Sequence, residues 1–356
     1  MKKEIGSIFP LTDSELRIAE SEQSQFADDR IYYSLCREAL YDIACAYEAE
    51  NKLVLIPAYT CQTVITPFEE TGWRCEFFAI QKDLRINIDN LKETIAKYNP
   101  LLIVVHPYFG MDLNIEECDA LKDIKSKGID IILDLTQCIF SKQNYSFADY
   151  IVASYRKWMP IPDGGYLIKK ETDNISQPNK ENTEFTDREV AAMYLRGQYF
   201  ANEEQRTKAV SIKLSKAADI LAENNITPHR MSQVAYNLMI KEDMEYNQNR
   251  RFENYTYLFN NIHDSKSLYK VCNDLNNVTT APLYFTIYVD VRKALQKQLA
   301  EESCYAPVIW PVEDERVLIN DDVIYIYDHI LAIPCDQRYN VADMSRVVNV
   351  INNFSK

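Results

Sequence analysis

The chain has 356 residues, 47% of them hydrophobic, which is enough apolar material for a large domain and a smaller one. Its 53 acidic and 39 basic residues give a net charge of −14, which argues against a nucleic-acid backbone or an anionic membrane as a partner. Nine cysteines lie without a C-x-x-C pair, and neither a signal peptide nor a transmembrane run is evident. We predict a reduced, cytoplasmic protein without a metal site.

The first half of the chain alternates between apolar runs short enough for strands and segments with helical spacing. Residues 1–30 are polar and are predicted to form an N-terminal arm. Helices are then predicted at 34–48, 60–71 and 115–127, and strands at 52–57, 73–80, 101–105, 129–133 and 150–153. Strands that are apolar throughout are typical of a parallel sheet covered on both faces. The alternation predicts a doubly wound α/β domain over residues 31–230.

The second half has a different texture. Thr186-Asp187 offers an N-cap for a helix from Arg188 to about Gly197. Beyond it we predict helices at 203–224 and 231–259, a strand at 281–289, a helix at 291–301, strands at 305–312 and 324–327, and a closing helix at 341–354. Mixed elements of this kind predict a smaller C-terminal α+β domain over residues 231–356.

Polar residues end three of the predicted strands. His106, Asp134 and Ser154 each come at the carboxyl end of an apolar run, where ligands of parallel sheets bind. Lys157 follows in a segment from Ser154 to Tyr166 that holds two of the seven glycines and two of the thirteen prolines, so it is a shaped loop. An aspartate at a strand end is commonly a turn former, and a loop lysine is commonly solvated. The pair nevertheless suits pyridoxal phosphate, whose aldehyde condenses with a lysine and whose ring nitrogen is kept protonated by a carboxylate.

The order of several motifs resembles that of the fold-type-I pyridoxal-phosphate enzymes, above all the DegT/StrS-type sugar aminotransferase family. The resemblance spans about residues 25 to 350 and rests on these landmarks: Ile56-Pro57-Ala58-Tyr59-Thr60, His106-Pro107-Tyr108-Phe109-Gly110, Asp134-Leu135-Thr136-Gln137, Ser154 to Lys157, Gly164-Gly165, His229-Arg230-Met231-Ser232 and Arg250-Arg251. The family's fold is a three-layer, mostly parallel α/β sheet with a smaller C-terminal domain. The resemblance therefore implies pyridoxal 5'-phosphate as cofactor and a homodimer as the active unit.

Residue roles carry over from the family one by one. Lys157 resembles the Schiff-base lysine and Asp134 the partner of the pyridine nitrogen. The resemblance further implies that Gln137 contacts the side of the ring hydroxyl and that Ser154 and the turn from Ser34 bind the phosphate. The implied cofactor contacts are Ser34, Cys36, Tyr59, Cys61, His106, Asp134, Gln137, Ser154 and Lys157, and the implied substrate contacts are Arg230 and Arg338. His106 and Arg338 each have a structural alternative, a satisfied hydrogen bond and an ion pair.

Three departures from the family pattern leave the reaction open. Fewer residues separate Ser154 from Lys157, Cys61 stands where the family tends to have an aromatic residue, and Pro228 stands where it has an asparagine. The leading hypothesis is transfer of an amino group from an amino acid to a keto-sugar, free or linked to a nucleotide, or to a similar small carbonyl substrate. The alternatives are another reaction on the same cofactor, a dehydration or an amino-acid transformation, and a non-catalytic binding or regulatory protein that retains the fold.

Overall fold

The computed structural model describes residues 4–19, 26, 29–170, 173–224 and 226–354. By its internal contacts the chain divides into two compact units. The first consists of Ile8–Glu48 with Tyr150–Asp243, and the second of Lys2–Ser7, Ala49–Asp149 and Met244–Lys356. The predicted division into residues 1–30, 31–230 and 231–356 stays a prediction. The predicted N-terminal arm lies partly outside the described residues.

The described residues form ten β-strands. In chain order they are β1 (Ile31–Tyr33), β2 (Leu53–Pro57), β3 (Arg74–Phe78), β4 (Leu102–Val105), β5 (Asp130–Asp134), β6 (Tyr150–Ser154), β7 (Gly165–Ile168), β8 (Leu268–Lys270), β9 (Tyr284–Val289) and β10 (Ile330–Pro334).

The described residues also form twelve α-helices, together with three short 3-10 turns. The helices are α1 (Asp13–Ala19), α2 (Cys36–Cys45), α3 (Gln62–Glu70), α4 (Ile88–Tyr98), α5 (Ile115–Ser126), α6 (Thr183–Asn202), α7 (Gln205–Asn224), α8 (Gln233–Met239), α9 (Met244–Asn261), α10 (Arg292–Glu301), α11 (Asp321–His329) and α12 (Val341–Phe354). Strand and helix thus alternate from β2 to β5, and the α/β class predicted from the sequence is confirmed.

Parallel strands form the centre of the second unit. Strand β2 pairs in parallel with both β3 and β4, and β4 pairs in parallel with β5. All of β4 is buried, and so are Ile131 to Asp134 in β5. Strands β2, β4 and β5 run from the same edge, so their carboxyl ends present Ala58 to Thr60, His106 and Asp134 together. A separate antiparallel sheet in this unit has the order β10-β9-β8.

Antiparallel pairing characterises the first unit. Strand β7 pairs with β1 on one side and with β6 on the other, so that Gly165 lies opposite both Tyr33 and Ser154. Helices α6 and α7 pack along each other in the same unit, and α2 packs on β6 and β7. The strand β1 lay within no predicted element, because three residues are too few to show alternation.

Three of the predicted helix boundaries were wrong. Helix α6 begins at Thr183 because the side chain of Asn182, rather than Thr186, caps it by accepting from the Phe185 amide at 3.3 Å. The helix also continues past Gly197. A glycine is needed at this position inside the helix because a Cβ there would stand 2.1 Å from the Leu11 carbonyl oxygen. The predicted helix 231–259 is two helices, α8 and α9, separated by a turn at Ile240–Asp243.

Two predicted strands in the last third were also wrong. Residues 305–312 contain no strand, since Pro307 and Pro311 remove backbone donors. Residues 324–327 belong to helix α11 despite their β-branched and aromatic composition. Asn320 caps this helix by accepting from the Val323 amide at 3.0 Å, and two aspartates occupy its first turn. Local capping thus outweighs strand propensity here.

Among the described residues, no helix combines the length and apolarity needed to cross a membrane.

Candidate active site

Asp134 is the last residue of β5 and has a buried carboxylate, 8% exposed. One of its oxygens, Oδ1, accepts a hydrogen bond from the Thr136 amide at 2.8 Å. The other, Oδ2, lies 3.7 Å from Nδ1 of His106, which ends the neighbouring strand β4. On its far side the His106 ring joins Thr60 through Nε2 and Oγ1, 2.8 Å apart. Three strand ends thereby contribute Thr60, His106 and Asp134 to one polar chain.

Aromatic rings surround Thr60 and His106. The ring of Tyr59 lies 5.5 Å from that of Tyr108, 5.2 Å from Trp310 and 5.2 Å from Tyr327. Tyr108 donates its hydroxyl to the Tyr59 carbonyl at 2.6 Å, and Tyr327 donates to the Ala58 carbonyl at 3.0 Å. These bonds fix the backbone that carries Thr60. The hydroxyl of Tyr59 is buried without a partner among the described residues, and burial raises its pKa well above the ordinary value.

Two further predicted contacts lie in the same unit. Cys61 precedes α3, is half-buried, and accepts a hydrogen bond at sulfur from the Thr63 hydroxyl at 3.1 Å. Gln137 is buried, and its Oε1 accepts from the Phe109 amide at 3.0 Å. The carbonyl oxygen of Gln137 therefore supports the turn after His106, and its amide nitrogen is the group left for a ligand.

Lys157 lies in the first unit, at the end of the 3-10 turn Tyr155–Lys157 that follows β6. Its side chain is exposed and makes no hydrogen bond or ion pair with the described residues. The turn itself is held firmly. The Tyr155 amide donates to the Gly164 carbonyl at 2.8 Å, and the buried Trp158 donates its amide to the Tyr155 carbonyl at 2.8 Å. A fixed backbone thus presents an unpaired amine.

The Gly164-Gly165 pair serves two different purposes. Gly164 has a φ of +132°, which side chains rarely allow. Gly165 is needed for close packing, because a Cβ there would lie 2.6 Å from the backbone nitrogen of Cys36. Strand β7 therefore lies directly against the first residue of α2. Cys36 itself is half-buried.

Ser34 precedes α2 and is fully buried. Its backbone donates to the His229 carbonyl at 2.8 Å and accepts from the Gly164 amide at 2.7 Å. Its hydroxyl donates to Oδ2 of Asp163 at 3.4 Å. A serine hydroxyl has a single proton, so in this arrangement Ser34 points that proton at Asp163. The α2 start, as opposed to the Ser34 hydroxyl, is the part of this turn that fits a phosphate.

The remaining predicted residues have other surroundings. Ser154 is the buried last residue of β6, opposite Gly165. Arg230 is half-buried and pairs with Glu181 at 2.8 Å. Arg338 donates to both oxygens of Asp336, at 2.7 and 2.8 Å, and to the Ser7 carbonyl at 2.9 Å. For Arg338 the structure shows the ion pair that was the alternative to a substrate contact.

Each unit, taken by itself, holds groups of the kinds that pyridoxal phosphate requires. Asp134 keeps most of its acceptor capacity in a buried position, as a protonated ring nitrogen requires. Lys157 supplies an amine without an internal partner, and α2 supplies a helix start. Sequence reasoning did not single out Thr60, Tyr108, Trp310, Tyr327 or Asp163. Thr60, Tyr108 and Asp163 lie in segments identified from the sequence, but no pattern indicated that Thr60 would bond His106.

No family model matches the sequence, and no curated protein matches it. Solved structures do. The putative sugar aminotransferase Spr1654 from Streptococcus pneumoniae, in its PMP form, superposes with a TM-score of 0.71 at 14% identity, covering 99% of this chain and 98% of that one. A DegT DnrJ EryC1 StrS aminotransferase from Brucella abortus gives 0.61 at 16% identity, covering 98% and 91%. DesI in the presence of its TDP-sugar product gives 0.66 at 13% identity, covering 98% and 86%.

These likenesses confirm the predicted fold over nearly the whole chain. The residue contacts described above, rather than the low identity, are what bear on function.

Proposed function

We propose that this protein is a pyridoxal-phosphate-dependent aminotransferase that acts on a keto-sugar. The observation that carries the proposal is the buried carboxylate of Asp134, which has one backbone donor and a histidine ring beside it. A buried carboxylate with unsatisfied acceptor positions is costly unless it binds a ligand or a cation. In a fold shared with sugar aminotransferases, the protonated ring nitrogen of the cofactor is the cation that suits it.

The cofactor supplies an electron sink for the substrate carbon from which a proton leaves. Asp134 would hold the protonated ring nitrogen, and His106, which is bonded to Thr60, would keep that carboxylate oriented. Lys157 would supply the amine that binds the cofactor, and its Nζ would hold and release the proton that leaves the substrate carbon. The start of α2 would hold the phosphate.

The neighbours in fold support a sugar as the substrate class. Spr1654 is named a putative sugar aminotransferase and DesI was solved with a TDP-sugar product. We extend this to a keto-sugar acceptor in nucleotide-linked form, with an amino acid as donor. A homodimer in a reducing cytoplasm completes the proposal.

The first test is the visible absorption spectrum with added pyridoxal phosphate, before and after borohydride reduction. We expect a band that reduction abolishes, and a cofactor mass fixed to the peptide that contains Lys157. Lys157→Ala should lose both signals. Lys213→Ala, which removes an exposed lysine of α7, is the matched control and should keep them. No band in the unaltered protein would refute the cofactor and favour the non-catalytic alternative.

The second test separates transamination from other reactions on the same cofactor. Glutamate is added to the loaded protein, and conversion of the cofactor to its aminated form is followed by absorption. We expect conversion, with 2-oxoglutarate released. A loaded protein whose cofactor glutamate does not convert would point instead to another reaction on the same cofactor, a dehydration or an amino-acid transformation.

A further inference from the structure

Asp163 is a buried carboxylate that the proposed chemistry does not use. It lies between the loop that begins at Lys157 and the pair Gly164-Gly165, and it is 0% exposed. Oδ2 accepts from the Thr186 hydroxyl at 3.0 Å and the Ser34 hydroxyl at 3.4 Å, while Oδ1 accepts from the Ser232 hydroxyl at 3.0 Å. The Ser232 amide donates to both oxygens at 3.2 Å.

The donors come from three separate places in the chain. Ser34 precedes α2, Thr186 lies in the first turn of α6, and Ser232 caps α8. All three are buried. Within the described residues no lysine or arginine pairs with Asp163, so neutral donors alone satisfy it. The one carboxylate therefore gathers the beginnings of three helices at a single point.

A short path of backbone contacts leads from Asp163 to Lys157. The next residue, Gly164, donates its amide to Ser34 at 2.7 Å and accepts from Tyr155 at 2.8 Å. Tyr155 opens the turn that Lys157 ends. Asp163 thus anchors the far end of the loop, Gly164 ties that end to the near one, and Ser34 is bonded to both Asp163 and Gly164.

A buried carboxylate is a costly anchor compared with an apolar side chain of similar volume. What it adds is direction, because it fixes several donors at defined angles. Directional anchoring matters most where an amine and a phosphate cradle must keep a fixed separation.

We propose that Asp163 is a positioning residue, which holds the turn of Lys157 and the start of α2 in the mutual geometry that cofactor binding needs. This inference rests on the proposed function. It assigns to Asp163 no contact with the cofactor and no share in the proton transfer.

The test compares Asp163→Ala with Asp163→Asn. Two quantities are measured: the dissociation constant of pyridoxal phosphate, and the rate at which borohydride traps it on Lys157. The alanine variant leaves four donors without an acceptor, so we expect affinity to fall by about tenfold or more. Asparagine can accept from Ser232 while its amide group donates to the rotatable hydroxyls of Ser34 and Thr186. It should therefore restore most of the affinity and of the trapping rate.

The pH profile provides a readout that simple loss of packing would not move. The charge of Glu38 on α2 acts on Asp163, and His229 ahead of α8 contacts Glu38; both titratable groups are retained in the variants. The ratio of the dissociation constants of Asp163→Asn and the unaltered protein should change several-fold between about pH 6 and pH 8, because the aspartate titrates there and the asparagine does not.

A second pair of variants keeps the proposal testable if Asp163→Ala does not fold. Ser34→Ala and Thr186→Val each remove one hydroxyl from Oδ2, but only Ser34 leads to the α2 start. We expect weaker cofactor binding from Ser34→Ala and not from Thr186→Val.

Two failures are distinguishable. If the unaltered protein does not bind pyridoxal phosphate, the proposed function falls and this inference falls with it. If the unaltered protein binds and is trapped on Lys157, while folded Asp163→Asn, Ser34→Ala and, where it folds, Asp163→Ala do so with unchanged constants at every pH, Asp163 is structural only and the inference is overturned.

Discussion

Two buried aspartates in this protein differ in how fully their oxygens are used. Asp134 accepts one backbone hydrogen bond and has a histidine ring 3.7 Å from its second oxygen. Asp163 accepts from two side chains and from both polar groups of Ser232. A carboxylate has about four acceptor sites. The first therefore retains capacity for a ligand, whereas the second has its capacity taken up by the protein itself.

Protonation sharpens the contrast. Burial raises the pKa of Asp163 to about 7, although its hydrogen bonds to Thr186 and Ser232 act in the opposite direction. Desolvation prevails there because no cation accompanies the charge. The comparison teaches that burial alone does not identify a ligand-binding carboxylate. The count of internal donors discriminates better, and it is a property of the folded structure.

The largest expected effect concerns Asp134, whose carboxylate keeps unsatisfied acceptor positions. Asp134→Asn removes the charge that we propose keeps the ring nitrogen protonated, so the glutamate half-reaction should slow by about a hundredfold or more. The free energy of unfolding should change by about 1 kcal/mol or less, because a single backbone donor is affected. Stopped-flow absorption and urea denaturation measure the two quantities.

The matched control for that variant is Asp119→Asn, which neutralises an exposed aspartate of α5 paired with Lys122. It should leave the half-reaction unchanged. A wild-type rate in Asp134→Asn would show that the carboxylate does not serve the cofactor, and would remove the basis of the comparison.

The distinction between these aspartates marks how far sequence reasoning reaches. Asp134 was predicted as a site residue because an apolar strand and a following turn place it at a sheet edge, which periodicity can show. Asp163 stood in the quoted loop and received no role. Its donors lie at positions 34, 186 and 232, and no local pattern can bring such distant positions together.

Two predictions of secondary structure were wrong for a similar reason. The strand predicted at 324–327 was wrong because Asn320 and the acidic first turn set the helix, while the composition of the run favoured a strand. The end predicted at Gly197 was wrong because that glycine accommodates the backbone of Leu11. A close approach between distant segments decides the residue, and a single sequence carries no sign of it.

The next prediction concerns Asp163 and the pH dependence of the free energy of unfolding. Because the pKa of Asp163 is higher in the folded protein than its ordinary value, the folded state holds a proton that the unfolded chain has released. Its contribution to stability therefore falls as pH rises from about 4 to about 7. Asp163→Asn does not titrate. Its free energy of unfolding, relative to the unaltered protein, should rise by about 1 to 3 kcal/mol across that window.

Urea denaturation at several pH values measures this difference. Referring the variant to the unaltered protein at each pH cancels the titration of every other group. If the free energies of unfolding of Asp163→Asn and the unaltered protein differ by a constant amount from about pH 4 to pH 7, a raised pKa for Asp163 is contradicted.

A smaller effect concerns the packing of Gly165, close to Asp163, against the start of α2. Gly165→Ala places a Cβ 2.6 Å from the backbone nitrogen of Cys36, which cannot move as a flexible side chain would. We expect a loss of about 2 kcal/mol in the free energy of unfolding, with weaker cofactor binding. Gly128→Ala is the control: its φ is +86° but no atom lies within 4 Å, so it should cost about 1 kcal/mol and leave binding intact. Equal effects on binding would count against close packing at the α2 start.

The smallest expected effect concerns the ion pair beside this cluster. Nδ1 of His229 lies 3.3 Å from Oε1 of the buried Glu38. The hydrogen bond with Glu38 raises the pKa of His229, and burial raises the pKa of Glu38. Because the histidine ring lies within hydrogen-bond distance of the carboxylate, the contact favours the charged form of the histidine. A raised pKa in the folded state means that the charged histidine stabilises the fold below about pH 6.5. That stabilisation is lost as pH rises through the folded pKa.

His229→Gln should therefore cost about 1 kcal/mol near pH 5.5 and almost nothing near pH 8.5. The exposed His263 provides the control, since His263→Gln should cost little at either pH. Thermal or urea denaturation of both variants at the two pH values gives the comparison. A cost for His229→Gln that is the same at both would mean that the Glu38 contact does not depend on charge. In that case Glu38 would resemble Asp163, a buried carboxylate held by neutral donors, and the ring of His229 would act through packing and its hydrogen bond alone.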